Sequence, residues 1–80
     1  MPYIDYKYRE EIDAGVPPKN AGELNYKITT ICQNYLDNAK NYAKINDIIG
    51  ALECCKLEFY RRLAAPYEDT KIEENGDVYK

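Results

Sequence analysis

Residues 42–65 read YAKINDIIGALECCKLEFYRRLAA and run up against Pro66. Ile45, Ile48, Ile49, Leu52, Cys55, Phe59 and Leu63 recur at steps of three and four, the spacing that gathers side chains on one face of an α-helix. Ile45, Leu52 and Phe59 also repeat every seven residues, and Ile48, Cys55 and Arg62 fill the companion seam. The pattern is too short for a free coiled coil but suits a helical hairpin or bundle. Proline carries no amide hydrogen and clashes with the preceding turn, so a helix over 42–65 is expected to stop or bend at Pro66.

Working outward, a second helix is expected over residues 23–38. Leu24, Ile28, Ile31 and Tyr35 step by 4, 3 and 4, and Asn20 with Glu23 three residues on has the form of a capping box. Asn38-Ala39-Lys40-Asn41 is a connection of the length that joins antiparallel helices. A short helix is expected over 5–14, with Asp5 as N-cap and Gly15 just past its end. Val16-Pro17-Pro18-Lys19-Asn20 then forms an extended, stiff connector. Beyond Pro66, residues 67–75 read as a short helix or a bent continuation, closed by Asn75-Gly76. The expected fold is one all-α domain, an antiparallel helical hairpin with short N-terminal and C-terminal helices.

Eighty residues bury little core, and chains of this size rely on disulfides, a metal or oligomerisation. Cys32, Cys54 and Cys55 are odd in number, the last two are adjacent, and there is no histidine. No internal disulfide framework and no Cys/His zinc pattern follow from that set. Assembly into a homo-oligomer is the remaining route. Unpaired cysteines, no export signal at Met1-Pro2-Tyr3-Ile4-Asp5 and no apolar run of about 20 residues point to the cytoplasm rather than a membrane.

The net charge of −3 is concentrated after Pro66, where Glu68, Asp69, Glu73, Glu74 and Asp77 outnumber Lys71 and Lys80. Binding of duplex nucleic acid, which needs a basic face, is not expected. Catalysis is not expected either, because without histidine there is no ordinary base near neutral pH. No metal ligand set and no cofactor motif stand out.

Nine tyrosines accompany one phenylalanine and no tryptophan. Tyrosine suits interfaces and ring-stacking sites because one end of it stays wet. Lys56, Tyr60, Arg61, Arg62 and Tyr67 make one aromatic–basic group in which cations meet a phosphate and rings stack. The plain alternative is a solvated face on which Glu53, Glu58 and the cations pair at helical spacing. Tyr6 and Tyr8, with Lys7 and Arg9, make a second group that closes over a ligand or packs onto the hairpin.

The run Gly50 to Arg62, continuing through Pro66-Tyr67-Glu68-Asp69-Thr70-Lys71 and Glu74-Asn75-Gly76-Asp77-Val78, resembles a family of small phage and prophage proteins of unknown function, as does Asn20 to Tyr26. That resemblance implies a viral product acting in a bacterial cytoplasm. The stretch Arg62-Leu63-Ala64-Ala65-Pro66-Tyr67-Glu68 is similar, with its alanine displaced by one, to the end of the hairpin in phage anti-CBASS sponges. Those are helical oligomers that sequester cyclic oligonucleotide immune signals without cleaving them. The expected function is therefore a non-enzymatic anti-defence sponge for a cyclic oligonucleotide or ADP-ribose-type ligand, bound at subunit interfaces. The alternative is a protein-binding inhibitor or adaptor of a host or phage protein.

Overall fold

The computed structural model describes residues 1–38 and 41–80, and every regular element among them is helical. The connection expected at Asn38 to Asn41 falls partly on residues 39 and 40, outside the described residues. The chain divides into two compact units, Met1–Ile45 and Asn46–Lys80.

In the first unit, α1 spans Tyr6–Asp13 and α2 spans Ala21–Leu36. Both begin as the sequence dictates. Asp5 accepts the Lys7 amide at 3.2 Å, and the Asn20 side chain accepts the Glu23 amide at 2.9 Å. The end of α1 is a Schellman turn. Val16 N–H donates to the Glu11 carbonyl and Gly15 N–H to that of Ile12, with Gly15 at φ 103°. Asp37, at φ 52°, closes α2.

The two helices pack on a face that hydrophobic patterning does not mark. Ile12 is 1% exposed and is the one buried hydrophobic residue among those described. Glu23, Tyr26, Lys27 and Thr30 are buried or half-buried along α2, again at steps of three and four. The expected apolar stripe lies outside that contact, with Leu24 51% and Ile31 57% exposed. Gly22 lets the N-terminal segment lie over the start of α2, since a Cβ there would sit 3.2 Å from Ile4 Cγ2 and 3.5 Å from the Met1 carbonyl. Glu23 is 5% exposed. Its carboxylate accepts the Lys19 amide at 3.1 Å and the Asn20 side-chain amide at 3.2 Å, a variant of the capping box in which the backbone donor is the residue before the N-cap.

The third helix, α3, spans Tyr42–Phe59. It does not end at Pro66. A π-helical segment, Tyr60–Ala64, carries it directly into α4, Ala65–Asn75. The Ala65 amide donates to the Tyr60 carbonyl, five residues back. Pro66 follows at the start of α4, where its missing N–H and fixed φ are tolerated. The widened turn thus admits the proline, and of the two courses left open at Pro66, a stop or a continuation, the helical run takes the continuation. Gly76, at φ 88°, ends α4 and donates to the Ile72 carbonyl at 2.8 Å. Taken by itself, Asn46–Lys80 is one helical run and a tail, with no fully buried residue. An isolated helix gains nothing from tertiary packing.

Ile12→Ala is expected to cost about 3 kcal/mol, typical of truncating a buried isoleucine. In a unit with so small a core, that loss releases α1, which far-UV circular dichroism and native-state hydrogen exchange at Tyr8 to Asp13 would register.

Candidate functional site

The residues expected to hold a phosphate on α3 and beyond follow one another along the helical run, and each meets a neighbour of its own. Lys56 lies 3.4 Å from Glu53. Glu58 receives both guanidinium groups, from Arg61 one turn on and from Arg62, whose Nε is 2.6 Å away. Tyr60 donates its hydroxyl to Glu68. Lys71 stands 5.5 Å over the Tyr67 ring and 3.1 Å from Glu74. All of these side chains are exposed. Pairs of this kind contribute a few tenths of a kcal/mol each, so they stay available to a competing anion without being arranged for one.

The Tyr60–Glu68 contact depends on the π segment. In an unbroken α-helix, residues eight apart are offset by roughly 80° at about 100° per residue. One extra residue in the turn removes about one residue of rotation and brings the two onto nearly the same face. The hydrogen bond to Glu68 and its charge, with some desolvation, raise the Tyr60 phenol above its ordinary 10.0.

The N-terminal group is built differently. Arg9 donates from Nε to the Ile4 carbonyl at 2.7 Å. Its guanidinium carbon lies 4.6 Å from the centre of the Tyr6 ring and 5.9 Å from that of Tyr26. Tyr26 is itself fixed from α1, donating its hydroxyl to the Asp13 carboxylate at 2.9 and 3.1 Å. Desolvation against α1, then the hydrogen bond and charge of Asp13, raise the Tyr26 phenol above 10.0, with Arg9 opposing. Tyr8 joins only Lys7, whose Nζ is 5.6 Å from its ring. Tyr6 and Arg9 were legible as members of one aromatic–basic group, with Tyr8 and Lys7. Tyr26 was not, because it reaches Arg9 only after the Pro17-Pro18 connector has folded α2 back against α1.

A family model matches residues 1–78, nearly the whole chain. The chain belongs to the DUF6899 family, a domain of unknown function. No curated protein and no solved structure matches it. The family therefore brings no reaction to this DUF6899 chain, and its chemistry has to be read from its own side chains. Among the described residues no group of three or more Cys, Asp or Glu is placed to hold a metal ion. No helix is long and apolar enough to cross a membrane. The three cysteines are free, Cys32 half-buried and Cys54 and Cys55 exposed, so the seam position of Cys55 is uncovered in the single chain.

The raised phenols give a sign for pH dependence. Each tyrosine is favoured neutral in the fold. Its contribution to stability is whole below pH 10.0, the ordinary value, and falls away as pH climbs through the raised one. Tyrosinate absorbance should show late-ionising phenols in the folded protein. Tyr26→Phe should remove one of them, and Glu68→Gln should return another toward 10.0.

Proposed function

We propose that this DUF6899 chain is a non-enzymatic binding protein that works as a homo-oligomer and sequesters a ligand instead of transforming it. The observation that carries this reading is uncovered apolar surface. Leu24, Ile28, Ile31 and Tyr35 on α2, and Ile49, Leu52, Phe59 and Leu63 from α3 onward, are exposed in the single chain at helical spacing. Stripes of this kind mark interaction surfaces in soluble proteins. We take α2 and α3 to be the arms of an antiparallel hairpin whose seams are covered within an assembly of copies.

The ligand class in this proposal is a nucleotide-derived signal, a cyclic oligonucleotide or ADP-ribose-type molecule, held at subunit interfaces by tyrosine rings and Arg or Lys contacts to phosphate. A phage gene product working in the cytoplasm of its bacterial host, against that host's defences, fits such a role. Support for the origin and for the immune role comes from the sequence resemblance alone. A second reading, an inhibitor or adaptor for a host or phage protein, is favoured by the acidic stretch Glu68 to Asp77, which offers a charged surface to a basic partner.

Light scattering on the purified protein should give a mass that is a multiple of 9.3 kDa. Ile31→Glu should weaken association by about thirtyfold, the equivalent of roughly 2 kcal/mol for one uncovered isoleucine. A stable monomer at micromolar concentration removes the interface argument. Calorimetric titration with cyclic di- and trinucleotides and ADP-ribose derivatives should show binding, with the ligand recovered intact on heating. Silence across that panel, together with a stoichiometric protein captured from host lysate, favours the adaptor reading.

A further inference from the structure

Among the described residues of the first unit, Arg9 is the cation that combines a side-chain hydrogen bond with two rings beside it. It is half-buried, its Nε is committed to the Ile4 carbonyl, and its guanidinium is layered on Tyr6 with Tyr26 beyond. The Tyr26 ring has a reason to stay where it is. Tyr26 is tied to Asp13, and Tyr6 occupies the first position of α1. What Arg9 lacks is an anion. Among the described residues no carboxylate comes within ion-pair distance of it. Three acids on or next to its helix have other partners: Asp5 caps the Lys7 amide, Asp13 takes the Tyr26 hydroxyl, and Glu11 faces Lys19 at 3.7 Å; the fourth, Glu10, is exposed and makes no ion pair with it.

A guanidinium in that state presents the terminal nitrogens of its fork, pre-oriented and partly desolvated. This is the arrangement in which arginine recognises a phosphate or carboxylate bidentately. Charge, orientation and lowered hydration are all supplied before any ligand arrives, so little ordering remains to oppose binding. The contrast with Arg61 and Arg62 is chemical. Those two share Glu58 on an exposed face and would have to leave it. The ring beside the fork narrows the ligand further. Tyr6 is 75% exposed, so its ring offers an edge and an open face next to the charge. A flat ring stacked there and an oxyanion on the fork would belong to one small molecule.

We propose that Arg9, backed by Tyr6 and Tyr26, is an anion-binding site on the first unit, and that it takes the phosphate of a small molecule whose flat ring stacks on Tyr6. This site deepens the sequestration reading by giving it a phosphate contact, and it moves that contact away from the Lys56 to Arg62 group. The acids along α1 make affinity for any one phosphate modest and sensitive to salt.

The test uses the intact protein, with adenosine monophosphate and inorganic phosphate as probes. The Arg9 Nε–H is already hydrogen-bonded, so its nitrogen–proton resonance is an observable marker. Adenosine monophosphate should shift that resonance and quench tyrosine emission, whereas inorganic phosphate should shift the resonance alone. Arg9→Gln should lose at least tenfold in affinity for adenosine monophosphate, and Arg9→Lys, which keeps the charge but not the fork, nearly as much. Lys80→Gln should leave binding unchanged. If Arg9→Gln fails to fold, the shift in the unaltered protein still decides the matter. Binding whose shifts fall on Arg61 and Arg62 overturns the site while leaving sequestration standing. No shift at Arg9 with either probe also overturns it, and the nucleotide panel then judges sequestration separately.

Discussion

A carboxylate that is 5% exposed has to be hydrogen-bonded, or its desolvation would be prohibitive. Glu23 meets that demand with the Lys19 amide and the Asn20 side chain, while Asn20 in turn caps the Glu23 amide. These bonds weld the end of the proline connector to the first turn of α2. The direction in which α2 leaves the connector is thereby set, and with it the face turned toward α1. Ile12, the Tyr26–Asp13 bond and the Arg9 layer all follow from that one setting. Remove it, and the first unit has a single buried hydrophobic side chain with which to hold two helices.

Local chemistry explains which parts of this were legible beforehand. Asp5, Asn20, Gly15 and Gly76 act on backbone groups within a few residues of themselves, so their roles could be read in place. The side of α2 that α1 covers could not be read that way. Periodicity finds the stripe with the most apolar residues, here Leu24, Ile28, Ile31 and Tyr35. The contact to α1 instead uses Tyr26, through a phenol hydrogen bond, while beside it Gly22 admits the N-terminal segment and Glu23 is taken up in capping. At Pro66 the choice between a stop and a continuation was open for a related reason. The proline rule concerns an ordinary α-helical turn, and Tyr60–Ala64 is not one.

The candidate site divides along the same line. Pairing of Lys56, Arg61 and Arg62 with Glu53 and Glu58 is what helical spacing alone provides, and the structure has just that. Tyr6 and Arg9 were visible as neighbours in sequence. What makes Arg9 distinctive, a second ring from α2 and a missing counter-ion, exists only after folding. A chain with small internal packing and wide apolar stripes then has two separate resources. The stripes suit assembly, and the Arg9 layer suits recognition.

The π segment also limits how any helix can lie alongside α3. The heptad positions Ile45, Leu52 and Phe59 drift by only about 40° in azimuth over fourteen residues, about 21 Å of rise. At Tyr60 the ladder takes in an extra residue, which acts like a stutter in a repeating coil and swings everything downstream out of phase. A straight neighbour following the seam would lose contact there. Its overlap with α3 is therefore ruled off at Phe59, and the acidic turns beyond it are aimed along a different meridian.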